Sequence, residues 1–355
     1  MRNKGQKPLR EILENHLMVK LTSLYDRKLL SSDINLNYIY EKDTFINISA
    51  NATQTVFEYG DKINNFFNEK ANLTYPVDET AKNALSKELG KLFQDDMETV
   101  YIPAGRITVS LLSEQLNYIF MSMDDIQRRT MDYCVRKYFE LVLQIKLWCE
   151  KINPAIINID TPDLNKAITG FYQKIIKAVY MYKNFEEHLV FGENQSIKLN
   201  FASSGQQEAV WILNILNYFS AVNKKVFLII EEPEAHLYPE SQMYMTDLMA
   251  LFINGGHNAG LITTHSPYIL GEFNNLILCG QAKNEGIDKI SITEASDIDE
   301  RAWFKKDILQ AFYAIDGKCE NAIIDGLIMN ELIDGASEKI DNKCYNLIDL
   351  FHGGG

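Results

Sequence analysis

The sequence predicts an α/β fold: a mainly parallel sheet with an antiparallel β region and a helical insertion. Three observations carry that expectation. From about residue 186, apolar strand-like runs alternate with helical patterns, which implies parallel strands joined by crossovers. Between 34 and 60, short alternating runs are broken by polar turns, as in an antiparallel hairpin group. The stretch 111–185 is mostly helical in periodicity, with wide apolar faces.

In chain order, residues 8–30 read as helix, with Leu9, Ile12, Leu13, Leu17, Leu21 and Leu24 at helical spacing. Strands follow at 34–40, 44–49 and 55–60, then a helix at 77–94. "TVYIPAG" (99–105) reads as a strand stopped by Pro103 and Gly105. The helices of 111–185, running through "LNKAITGFYQKIIKAVYMYKNF", break near Asn153-Pro154 and Thr161-Pro162. They lack sustained heptads and read as a packed bundle, not a solvent-exposed coiled coil. "HLVFG" and "SIKLNFA" suggest a hairpin. A helix at 204–220, a strand at 226–231, a helix at 239–253, and strands at 260–264 and 276–280 complete the pattern. The continuous apolar run "VFLII" fits a strand buried on both faces. Three parts are expected: 1–110, 111–185 and 186–355.

Composition narrows the class. Of 355 residues, 46% are hydrophobic and 23% charged, enough to fill a core. The net charge of -13 argues against a broad electrostatic grip on nucleic acid or an anionic membrane. No run is long and apolar enough to span a bilayer, and the basic, then amphipathic N-terminus lacks the apolar core of a signal peptide. Five scattered cysteines without a C-x-x-C pair read as reduced thiols of a cytoplasmic protein.

The chemistry concentrates in three segments. "VFLIIEEPEAHLYP" ends an apolar strand in Glu231 and Glu232. Magnesium prefers oxygen ligands and keeps several waters, so one carboxylate suffices to hold it. A second can polarise water for attack on a phosphate. The bland alternative is a charged strand end at the surface. "FASSGQQEAVWIL" opens a helix with Ser204 as N-cap and Gln207 closing a capping box. Its glycine, Gly205, permits close backbone approach, and the helix start is either an anion site or a plain cap. "LITTHSP" puts His265 after a strand, where by itself it reads as a satisfied polar residue. His236 and His265 lack the spacing of a zinc site.

Order and spacing turn three weak signals into one stronger one. The set resembles the ABC-class ATPases, and more narrowly the bacterial AAA-labelled ATP-binding proteins related to OLD-type nucleases and SMC-like repair ATPases. Ser203 to Gln207 match the signature motif, Lys225 to Glu232 match Walker B, Glu234 to Leu237 match the D-loop, and Thr264-His265 match the switch histidine. The resemblance covers residues 186–350 strongly and 1–110 loosely. It implies that Glu231 holds magnesium through water, where the family more often has Asp. It also implies that Glu232 is the catalytic base and that His265 contacts the γ-phosphate. ATP would be bound by Ser203, Ser204, Gly205, Gln206, Glu234 and His236. Ser204 and Gly205 would touch ATP held by the opposite subunit, a second copy or a partner ATPase chain arranged head to tail. Nucleic-acid or anti-phage work is expected by family analogy alone.

The phosphate loop G-x-x-x-x-G-K-[ST] does not occur in the 355 residues. The Gly-Lys steps Gly90-Lys91 and Gly317-Lys318 are followed by Leu92 and Cys319 and lack the upstream glycine. Three explanations stand: an N-terminally incomplete ATPase, a lobe supplied by another polypeptide, or a degenerate, non-hydrolysing module for binding partners. Retention of Glu231, Glu232 and His265 weighs against the last. Only about ninety residues follow His265, so no nuclease domain is assigned. A transporter ATPase has no membrane-coupling motif to support it.

Overall fold

The computed structural model describes residues 9–11, 14, 34–50, 54–70, 79–95, 97–112, 115, 118–119, 122–124, 127, 131–151, 163–192, 195–305, 308–329 and 331–352. The helix expected over 8–30 is helical at 9–11 and 14, and the rest of it lies outside the described residues. So do the breaks expected at 153–154 and 161–162. The chain forms two compact units, Met1–Asp96 and Met97–Gly355, so that residues 97–110 fall in the second unit.

In the first unit, β1 (Ile34–Glu41), β2 (Thr44–Ala50) and β3 (Thr55–Tyr59) form the expected antiparallel sheet, in the order β1-β2-β3. Helix α1 (Asp61–Glu69) follows, then α2 (Glu79–Phe93). The sequence reading did not include α1. "DKINNFFNE" holds three asparagines, poor helix formers, and only packing of Ile63, Phe66 and Phe67 against Tyr59, Leu85 and Phe93 accounts for it.

The second unit begins with β4 (Glu98–Ile102), α3 (Ile107–Leu111), α4 (Tyr133–Lys151) and α5 (Asp163–Ile175). Next come β5 (Val179–Lys183), β6 (Glu186–Gly192) and β7 (Gln195–Lys198), an antiparallel sheet. They are followed by α6 (Ser204–Ala221), β8 (Val226–Glu231), α7 (Pro239–Gly255), β9 (Ala259–Thr263), α8 (Pro267–Asn284) and α9 (Lys289–Ser296). Two small hairpins pair β10 (Phe312–Ile315) with β11 (Lys318–Asn321) and β12 (Ile323–Ile324) with β13 (Leu327–Ile328). Helix α10 (Glu331–His352) ends the described chain. The parallel sheet has the order β4-β8-β9, with Ile102 beside Ile230 and Glu231 beside Thr263.

Helix α6 is buried almost all round, its polar Gln207, Glu208, Asn214 and Asn217 included, so it is the central helix. Trp211, Ile212, Leu213, Ile215 and Leu216 are fully buried and share one core with Tyr138 and Val142 of α4 and Ile168 of α5. The helices expected as an insertion thus pack into the same core as the strands that follow.

Three element-level expectations need correction. Residues 179–183 are a strand, not the end of a helix. Lys177 takes a left-handed φ of 54°, which stops α5, and the alternating Tyr180 and Tyr182 then turn inward against β6. Residues 276–280 are not a strand but lie within α8. Ser266 caps that helix and Pro267 opens it. Ile269, Phe273, Leu276 and Gly280 recur on its buried face, where Gly280 lies against the Phe304 carbonyl. Strand β8 is fully buried on one face only: Val226, Leu228 and Ile230 are sealed, while Phe227 and Ile229 are partly covered. Strand β9 is an edge among the described residues, and its Leu261 is 53% exposed. No helix among the described residues is long and apolar enough to cross a membrane.

Candidate functional site

Strands β4, β8 and β9 run parallel, so their carboxyl ends lie side by side, where open α/β sheets place ligands. Glu231 is the last residue of β8. Its Oε2 accepts the Ala104 amide at 3.2 Å, from the loop after β4. Burial and the Glu231 carboxylate together hold the Tyr101 hydroxyl above the usual phenol range. Glu232 leaves the strand in a left-handed conformation, φ 44°, which costs about 1–3 kcal/mol for a residue with a side chain. Its N–H donates to the Thr263 carbonyl at 2.9 Å, so the ladder to β9 continues through the distortion.

The turn after Pro233 folds on itself, with the Ala235 amide on the Glu232 carbonyl and the Leu237 amide on the Glu234 carbonyl. Glu234 Oε1 accepts the Thr264 hydroxyl at 2.8 Å and the His265 amide at 2.7 Å. Its Oε2 is buried without a hydrogen-bond partner. The Ser266 hydroxyl donates to Gln242 Oε1 at 2.5 Å, and Ser266 Oγ accepts the Tyr268 amide at 3.1 Å. Glu232, Glu234, Gln242, His265, Ser266, Pro267 and Tyr268 line an open cleft of about 340 Å³. The structure therefore brings together Glu232, Glu234 and His265 in one cleft, while the Glu231 carboxylate turns toward Ala104.

The start of α6 is a separate feature. The N-cap is Ser203, not Ser204, and Gln206 rather than Gln207 closes the capping box. Doubled serines and glutamines in "SSGQQ" suit either register, and the backbone chooses. Ser203 is extended at φ -63° and ψ 153°, and Ser204 is already helical. Gln206 is engaged at both ends, Oε1 with the Ser203 amide at 3.2 Å and Nε2 with the Ile176 carbonyl at 2.7 Å. Gln207 donates to the Ala202 carbonyl at 2.8 Å. Gly205 is buried against the acidic turn of its own chain, where a Cβ would stand 2.5 Å from the His236 carbonyl oxygen. His236 has φ 59° and is exposed. Ser203, Ser204, Gly205, Gln206 and His236 do not line the cleft.

The sequence reading missed Arg106 and Glu208. Arg106 is 1% exposed and stands behind the acidic pair. Its Nη1 donates to the Pro103 and Glu231 carbonyls at 2.7 and 2.8 Å, and its Nη2 to the Glu232 carbonyl at 2.9 Å. Its Nε lies 3.2 Å from Glu208 Oε2. Glu208 also accepts the amides of Arg106 and Ile107 at 2.9 and 3.0 Å. A usable signal existed: Glu208 is a lone charge at the head of the apolar helical run "AVWIL", and such a charge needs a buried partner.

Can these residues hold magnesium and a polyphosphate? Among the described residues no cluster of three or more His, Cys, Asp or Glu could hold a metal by itself. A phosphate-bound magnesium needs only one or two protein carboxylates. Glu231 and Glu232 at one strand end, with the cleft beside them, fit that requirement. A family model described as AAA ATPase domain matches residues 4–270 of the chain. No curated protein matches it at a significant level.

Proposed function

The chain belongs to the AAA ATPase domain family, and from that premise we propose that Glu231, Glu232 and His265 form the hydrolytic centre of an ATP site in the OLD-like and SMC-like ABC group. The observation that carries the reading is the convergence of Glu232, Glu234 and His265 on one cleft at the carboxyl ends of β8 and β9. Glu232 accepts the proton of the attacking water, the usual task of a carboxylate so placed. His265 meets the terminal phosphate, and Glu234 orients it by gripping its amide. Glu231, on the neighbouring side of the backbone, holds magnesium through water. When bound, the metal supplies positive charge that offsets the phosphates.

The phosphate cradle comes from residues outside this sequence, because no G-x-x-x-x-G-K-[ST] run is present. Among the described residues β9 is an edge, which supports that reading: a further parallel strand beside it would cover Leu261 and bring its own carboxyl-end loop to the cleft. Two chains close head to tail on nucleotide, each offering the start of α6 to the other's ATP. A DNA-related or anti-phage task follows by analogy with the group.

The test is phosphate release. The 355-residue chain alone should bind Mg-ATP weakly and turn over nothing, because carboxylates without a cradle repel polyphosphate. Adding a polypeptide that carries the phosphate loop, in cis or from a partner, should restore both. In that assembly Glu232→Gln should lower turnover by about 100- to 10,000-fold and retain ATP binding. Turnover within about twofold of wild type would reject Glu232 as the base. Micromolar binding of Mg-ATP by the lone chain would reject the outside cradle.

A further inference from the structure

Arg106 takes no part in the chemistry above, yet its guanidinium sits directly behind the acidic pair. A guanidinium presents five N–H donors in a rigid planar fork. Here the fork reaches four main-chain carbonyls, those of Pro103, Glu208, Glu231 and Glu232, and the Glu208 side chain. These partners come from the end of β4, the end of β8 and the second turn of α6.

Two features give this contact a role beyond cohesion. The first is the backbone of Glu232. Its left-handed conformation is held from two sides, by the Thr263 carbonyl on its N–H and by Arg106 on its own carbonyl. The peptide planes on either side of a residue set the direction of its Cα–Cβ bond. A group that grips the carbonyls of both Glu231 and Glu232 therefore sets where both carboxylates leave the chain. The second feature is Glu208. It binds the Arg106 amide, the Ile107 amide and the guanidinium, so the opening of α6 is tied to the same point. Gly205, one turn earlier, already touches the His236 carbonyl at the far end of the acidic turn.

We propose that Arg106 is a positioning residue for Glu231 and Glu232, and that Glu208 makes the opening of α6 and the acidic turn move as one body. The catalytic side of this claim rests on the hydrolytic reading above, and the conformational side does not. Arg106→Lys separates the two, because it keeps the charge beside Glu208 and removes the fork.

Amide hydrogen exchange on the 355-residue chain reads the conformational side. In Arg106→Lys the amides of Glu232, Ala235 and Leu237 should exchange about tenfold faster or more. Those of Val226–Ile230 in β8 and Met245–Phe252 in α7 should keep the wild-type rate. An even acceleration across all three segments, or no change, would overturn the proposal. If Arg106→Lys does not fold, Glu208→Gln is measured against the same three segments and decides in the same way. In the assembly that hydrolyses ATP, Arg106→Lys should lower kcat by about 100-fold with KM for Mg-ATP within about twofold. A loss of rate that merely tracks the fraction of folded protein would overturn it. A wild-type assembly without phosphate release would remove the hydrolytic reading instead, and it would show independently of the exchange pattern.

Discussion

Arg106–Glu208 and Lys146–Glu187 are both sealed from solvent, with side-chain exposures of 1% or less, but they are surrounded by different groups. Lys146 of α4 meets Glu187 of β6 at 2.8 Å, among side chains. The Tyr180 hydroxyl donates to Glu187 at 2.7 Å, and the ammonium lies 5.5 Å from the Trp211 ring centre and 6.0 Å from that of Tyr182. Burial holds the Tyr180 phenol well above its usual range, so it stays a donor. Arg106 instead meets main-chain carbonyls. An ion pair among side chains can be exchanged for an apolar pair of similar volume. Carbonyls cannot be exchanged, and losing their donor leaves them buried and unpaired. The lysine pair thus holds packing together, whereas the arginine pair holds a backbone in one shape beside the cleft.

That contrast can be broken. Lys146→Met strands the Glu187 charge and should cost about 3–5 kcal/mol in urea unfolding. The double variant Lys146→Met with Glu187→Leu should recover most of the loss, and the matching Arg106→Met with Glu208→Leu should not. Equal recovery in both would erase the distinction.

A third buried contact, between like charges, sharpens the comparison. Asp247 of α7 faces Glu272 of α8, with Lys174 of α5 and Asp297 nearby. Burial first, then the Glu272 carboxylate, pushes the Asp247 carboxyl up to about 8. The folded state therefore keeps a proton that the unfolded chain releases above about pH 4. The stability this contributes is complete below the unfolded value and is lost as pH rises toward 8. Asp247→Asn should therefore gain on wild type in denaturant midpoint experiments as pH rises from 5, with the gain levelling off above about 8. A wild-type advantage that grows over the same interval would contradict a proton retained on Asp247.

Smaller effects are expected where α6 begins. Gly205→Ala forces a methyl group against the His236 carbonyl and should cost about 1–3 kcal/mol in thermal unfolding. Unchanged stability would mean that the acidic turn yields easily. Ser203→Ala removes the cap and should cost about 1 kcal/mol. Ser204→Ala, at an exposed first helical position, should cost less than that, and the reverse ranking would restore Ser204 as the cap.

Much of both units was legible because the signals are local. Alternation at 34–59, the apolar run of β8 and the helical pattern from 239 all act through neighbours in the chain. The order of acidic pair, turn and histidine was legible for the same reason, as was the need for a glycine at 205. Strand β5 was misread because "KAVYMY" suits a helix face until a left-handed Lys177 stops α5 and β6 supplies a partner. The strand expected at 276–280 was misread because a short apolar run carries no period that separates a strand from a buried helix.

What the sequence by itself determined is the chemistry available: two carboxylates at a strand end, a histidine two segments later, and no phosphate loop. What only the tertiary structure decided is which groups meet. Arg106 reaches Glu231 and Glu232 across more than a hundred residues, because β4 lies parallel beside β8 and ends level with it. Glu234 turns to His265 because β9 ends beside β8. Sheet register is a non-local property, set by which strands bury their apolar faces together, and no single stretch of sequence contains it.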